Sequence, residues 1–142
     1  MIRIATAAAA LLLSAAPALA QTADSKVVLT FETGARTGMV MVALYDTAAA
    51  FDGGSARPVA ATAVPASGNR VVATFENLPA GDYAVKAFHD VNGDGEMNTN
   101  PFGMPVEPYA FSNNAVGNMG PARWSAAHFA VAGETTQTIS IR

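Results

Sequence analysis

From residue 26 onward, apolar side chains recur at every second position in one stretch after another, and glycine, proline or asparagine breaks each stretch. A period of two is the strand pleat, which sends successive side chains to opposite faces, and it is incompatible with the 3.6-residue repeat of a helix. In residues 26–32, Val27, Leu29 and Phe31 alternate with Val28 and Thr30. In residues 39–46, Val40, Val42 and Leu44 share one face while Met41, Ala43 and Tyr45 share the other, and two apolar faces predict a central strand. Residues 58–64, 70–78, 82–90, 127–132 and 135–141 continue the pattern. Thr33-Gly34, Ser67-Gly68-Asn69, Pro79-Ala80-Gly81 and Gly133 supply turns between them. Residues 47–54 have room for one short helical turn, ended by Gly53-Gly54. About seven short strands at this spacing predict an all-β fold, an antiparallel β-sandwich. Its expected core includes Phe31, Val42, Leu44, Phe75, Val85, Phe129 and Ile139.

The first 20 residues carry a different signal. Arg3 is followed by an apolar run from Ala5 to Leu13, broken only by Thr6, and then by Ala18-Leu19-Ala20, the small-x-small pattern of signal-peptide cleavage. The expected product is a single domain of residues 21–142 in the periplasm or outside the cell. The run is too short to span a bilayer, and no second one follows. With no cysteine in 142 residues, stability must come from the core rather than from disulfides. A net charge of −3 leaves no basic surface for a phosphate backbone, which excludes nucleic acid as the expected partner. An envelope protein or a small ligand is expected instead.

Residues 91–124 interrupt the alternation with five Gly, four Pro and six Asn, yet Phe102, Met104, Tyr109, Phe111, Met119 and Trp124 are spread through them. So long a connection in a compact domain tends to carry function, and this aromatic content predicts a folded loop capping one end of the sandwich. Its entrance, Asp90-Val91-Asn92-Gly93-Asp94-Gly95-Glu96-Met97-Asn98, places oxygen side chains at alternate positions with glycine at the sharp turn, as calcium loops do. Asp90, Asn92, Asp94 and Asn98 are the expected side-chain ligands and Glu96 supplies a backbone carbonyl. The twelfth position is Pro101 where an EF-hand has glutamate, so Glu107 is the expected source of the missing carboxylate. The competing reading is an ordinary turn held by Asx hydrogen bonds.

Other chemistry stays open at this point. His89 and His128 with Met97, Met104 and Met119 offer soft ligands for periplasmic copper. A hydrolase would draw on Ser112, His128 and an aspartate, but no positioning motif surrounds Ser112; Glu96 and Glu107 offer paired carboxylates whose separation nothing in the sequence fixes. Trp124 would stack on a sugar in a carbohydrate-binding module, or else anchor the exit of the cap.

Four ordered blocks carry a family resemblance: residues 78–85 (Leu-Pro-Ala-Gly-Asp-Tyr-Ala-Val), 88–95 (Phe-His-Asp-Val-Asn-Gly-Asp-Gly), 103–115 (from Gly103-Met104-Pro105 to Asn113-Asn114-Ala115), and Gly120-Pro121. Together they resemble the secreted bacterial proteins of domain-of-unknown-function family 2141, with Ala110 where that family is expected to have glycine. The first block also resembles the transthyretin-like and carboxypeptidase-regulatory β-sandwich modules. The resemblance implies a secreted β-sandwich and assigns no activity.

Overall fold

Among the described residues the seven alternating segments form strands and one more joins them: β1 (Ser25–Glu32), β2 (Met39–Tyr45), β3 (Ala60–Pro65), β4 (Arg70–Leu78), β5 (Gly81–Asp90), β6 (Tyr109–Phe111), β7 (Phe129–Val131) and β8 (Glu134–Ser140). Two short helices, α1 (Ala48–Gly53) and α2 (Trp124–Ala127), join them. The computed structural model describes residues 24–34, 37–54 and 56–142. The leader expected over residues 1–20 lies outside the described residues. Among the described residues no helix is long and apolar enough to cross a membrane.

The strands make two sheets. One has the order β4-β1-β8, the other β3-β2-β5, with β6 and β7 both pairing the far edge of β5. Most pairs are antiparallel, as expected, but β1 and β8 run parallel, from Lys26 opposite Glu134 to Glu32 opposite Ser140. Parallel neighbours need a crossover, and almost the whole chain lies between these two strands. The alternation then does what it predicts. Val27, Leu29, Phe31, Val71, Ala73, Phe75 and Ile139 from one sheet meet Val40, Val42, Leu44, Tyr83, Val85 and Ala87 from the other. Phe129, expected in the core, is only partly buried against it. It sits at the start of a three-residue strand, where the sandwich closes.

Two details refine the expected cap. The folded loop expected over residues 91–124 is not irregular throughout, because Tyr109–Phe111 pairs with Phe88–Lys86 as β6. Three residues between Pro108 and Ser112 are too few to display a period. Nor is all of the segment at one end of the sandwich. Its second half, with α1 and α2, covers part of the outer face of the five-stranded sheet through a second apolar cluster: Phe51, Ala84, Phe111, Ala122 and Ala127, with Tyr45 and Trp124 packed against it. Phe51 is central there, with edge-on contacts to Tyr45, Phe111 and Trp124 at 5.6, 6.1 and 6.1 Å. Thr47 caps α1 by accepting the Ala50 N–H, as N-terminal threonines commonly do.

The turn after β6 ties the sheets together. Ser112 is fully buried, accepts the Val85 N–H at 2.8 Å and donates to the Ala127 carbonyl at 2.6 Å. Asn114 accepts the Ser140 N–H and donates to the Thr138 carbonyl, the two bonds a neighbouring strand would give β8. Asn113 and Asn114 both have left-handed φ, near 58° and 50°, a conformation asparagine tolerates better than most residues. The Asn114 side chain thus occupies an edge that would otherwise invite pairing with another chain.

Candidate functional site

Two features stand apart from the core: the turn that follows β5, and a trough on the outer face of the sheet beside it. The turn begins inside the protein. Asp90 is 1% exposed, and its carboxylate accepts the Gly93 N–H at 2.7 Å and the Gly95 N–H at 2.8 Å. Charge-assisted bonds of this kind offset the cost of burying the carboxylate. The backbone approaches closely here, because a Cβ on Gly38 would stand 2.2 Å from the Asp90 carbonyl oxygen at a φ of +112°. Only glycine fits that position.

Beyond Asp90 the oxygens are satisfied in turn. Asn92 Oδ1 accepts the Asp94 N–H, and Asp94 Oδ1 accepts the Glu96 N–H. Asp94 Oδ2 receives the side-chain amides of Asn92 and Asn98, while Asn92 Nδ2 also donates to Asn98 Oδ1 at 2.8 Å. The Asn98 amide, followed by the Glu96 N–H and the Asn92 amide, holds the Asp94 carboxyl below its ordinary range. Glu107 is buried at the neck, where Oε1 accepts the Val91 N–H and Oε2 the Asn98 N–H, so it clamps both ends of the turn. Of the six expected calcium ligands, Asn92, Asp94 and Asn98 are in mutual contact. Asp90 and Glu107 are engaged by backbone amides at the neck, and Glu96 is exposed. Among the described residues no group of three or more His, Asp or Glu side chains stands close enough to hold a metal ion.

The copper candidates are dispersed. His89 lies near the end of β5, fully buried, with Nε2 donating to the Thr37 carbonyl and Nδ1 without a partner. His128 precedes Phe129, which pairs with Tyr83 at the start of β5, so the two histidines flank opposite ends of that strand. His128 stacks on Trp124 at 5.6 Å and bonds to its carbonyl. Met104 and Met119 are exposed, Met97 half-buried. Trp124, offered above for sugar stacking, is wedged between Phe51 and His128, and its N–H is held by Asp52. Ser112, the hydrolase candidate, has both its hydrogen-bonding directions used by Val85 and Ala127.

The trough was not legible as such. Along the outer face of β2, Met41 lies opposite Ala63 of β3 and Phe88 of β5, and Ala43 opposite Ala61 and Lys86. One row on, Phe88 meets Tyr109 and Lys86 meets Phe111. The helices cover this face only at the Tyr45 end. The rest is an open trough of about 610 Å³, with Ala43, Ala61 and Ala63 lowering its floor and Met41, Phe88, Met97 and Tyr109 among its walls. Met97 comes from the turn after Asp90, so the hydrogen-bonded loop supplies one rim. Lys86 marks the boundary with the covered end. Its ammonium donates to the Phe51 carbonyl at 2.6 Å and sits 5.2 and 4.7 Å from the centres of the Tyr45 and Phe51 rings. Two apolar faces on residues 39–46 predict a central strand, and β2 is central. Among the described residues, however, the second face is covered only at the Tyr45 end. A smaller hollow of about 240 Å³ lies between β6, Val116 and Arg142.

Beside the trough, residues 98–106 form a small hairpin. Asn100 Oδ1 accepts the N–H groups of Phe102 and Met104, and Val106 N–H donates to the Asn98 carbonyl. Its tip holds Phe102 88% exposed and Met104 58% exposed.

A family model described as an uncharacterized protein conserved in bacteria (DUF2141) matches residues 32–140. No curated protein and no solved structure matches the chain.

Proposed function

The chain belongs to the DUF2141 family, and we propose that it is an exported binding module of the cell envelope, a transthyretin-like sandwich that holds an apolar ligand against its five-stranded sheet. The observation that carries this reading is the trough. An antiparallel sheet with one face in water normally alternates apolar with polar, yet the outward positions of β2, β3 and β6 here are Met, Met, Ala, Tyr, Ala, Ala, Pro, Tyr and Phe. Its volume falls within the ~300–1,000 Å³ of small-molecule sites, which are mostly apolar with few polar groups. The leader pattern of residues 1–20 supports export.

Nile red, a neutral apolar dye, tests it. Wild-type protein is expected to bind one dye per chain with blue-shifted emission, and Ala61→Trp to abolish the signal. Ala61 is exposed on an edge strand, so the variant should keep the wild-type melting temperature. Equal dye fluorescence in both proteins, or none in the wild type, would overturn the reading.

A second reading places calcium in the turn after Asp90, favoured by one observation: Asp94 Oδ2 and Asn98 Oδ1 converge on the Asn92 amide, where two N–H groups stand in the place of a hard cation. On this reading millimolar Ca²⁺ raises the melting temperature over that in chelator, because an ion bound only to the native state stabilises it. Asp94→Ala erases the rise. Identical melting curves with and without Ca²⁺ leave the turn as a protein-only hydrogen-bonded structure.

A further inference from the structure

We propose that the trough selects amphiphiles with a single anionic group, of the fatty-acid type, whose carboxylate pairs with Lys86 while the apolar body lies over the alanine floor toward Met97. This rests on the trough being the binding site and names the class of ligand it takes.

The argument is one of charge and its position. Among the described residues Lys86 is the only charged one lining the trough, and it stands at the end closed by α1 rather than at the open rim. An ammonium has three N–H donors, of which the Phe51 carbonyl takes one, so two remain. The flanking Tyr45 and Phe51 rings supply only their π faces. Among the described residues the ion pairs are Lys26 with Glu134 and Arg70 with Glu32, so Lys86 has no carboxylate partner. The acid that acts on it, Asp52, accepts the Trp124 backbone N–H. Burial pulls the Lys86 ammonium below the ordinary lysine value despite Asp52. A half-buried cation with two N–H donors not taken by the protein therefore lines an apolar trough.

That asymmetry discriminates among ligand classes. A sugar would bury many hydroxyls against methyl and aromatic groups and leave them unpaired. A cationic amphiphile would meet the ammonium of Lys86. A neutral hydrocarbon gains the apolar contact but leaves the two N–H groups unmatched. An anion on an apolar body satisfies both parts at once, through charge-assisted hydrogen bonds in a site partly shielded from water.

Displacement of Nile red by decanoate, 1-decanol and decyltrimethylammonium from the wild-type protein separates these cases without a mutation. Decanoate is expected to displace the dye at a concentration about tenfold below that of 1-decanol, as a hydrogen bond to a charged group predicts, with decyltrimethylammonium weakest. Lys86→Gln should bring decanoate level with 1-decanol, and Lys86→Arg should restore the preference. If dye binds and decanoate shows no advantage over 1-decanol, the anion assignment is overturned while the trough reading stands. If no dye binds, the trough reading itself falls and takes the assignment with it.

Discussion

Replacing Phe31 by alanine should lower the unfolding free energy by about 3–5 kcal/mol, read from urea or thermal melts. Phe31 is completely buried on β1, the middle strand of its sheet, with Val71 of β4 and Ile139 of β8 as its register partners on either side. Neighbours on both flanks and a second sheet across the core leave little freedom to collapse into the space. The cost is therefore the lost transfer of the ring plus a cavity. A domain holds only about 5–15 kcal/mol in total, so the variant should melt far below the wild type. Val72→Ala on β4 serves as the control, because Val72 points away from the core and is half exposed. It should change stability by no more than ~0.5 kcal/mol. An unchanged melt for Phe31→Ala would contradict the placement of the core.

How legible this fold was in its residues depended on the length of each segment. β1, β2, β4 and β5 run for 7 to 10 residues, and alternation over that length leaves one assignment. β6 and β7 have three residues each, and their pairing is set by β5 rather than by any pattern of their own. The parallel neighbourhood of β1 and β8 is equally silent in the sequence, because alternation specifies which face a residue takes and nothing about which strand lies beside it. The trough escaped for a related reason. Apolar residues on both faces of β2 mean that neither face belongs to water, and a covering layer and a binding trough satisfy that condition equally well. The tie is broken by β3, whose outward residues are Ala61 and Ala63, too small to form a second core.

The Asp90 turn shows a different ambiguity, in which the residues were identified and their work was not. Oxygen side chains at alternate positions with glycines of positive φ suit a cation, and they equally suit a chain of Asx turns, because the same lone pairs accept backbone N–H groups. Asp90, Asp94 and Glu107 were legible as participants. That Glu107 clamps the neck through Val91 and Asn98 depends on the hairpin of residues 98–106 returning it there, which no spacing rule states.

Asp90→Ala is the substitution that tests what the turn is for. It deletes both acceptors of the Gly93 and Gly95 N–H groups from a site only 1% exposed. Hydrogen bonds to a charged group contribute about 1.5–3 kcal/mol each, and the two freed amides belong to exposed glycines that water can reach, so the net loss should be about 2–4 kcal/mol. The loss should also be local. Amide hydrogen exchange is expected to accelerate across residues 91–107, while Val28, Thr30 and their partners in β4 and β8 keep their protection, because the turn belongs to neither of those ladders. Asp94→Asn, by contrast, changes a fully exposed group and should leave exchange at the neck unaltered. Its carboxyl is held below the ordinary range, so what Asp94 contributes is present above that range and fades as the pH falls through its lowered value. Acid should therefore loosen the Asn92–Asp94–Asn98 contacts in the wild type, with no such step in Asp94→Asn. The decisive readout is Nile red. Met97 lines the trough and is carried on the turn after Asp90, so Asp90→Ala should weaken dye binding without touching any residue of the trough floor. If exchange accelerates over residues 91–107 while dye binding stays at the wild-type level, the turn is a structural stop for β5 and has no part in the site.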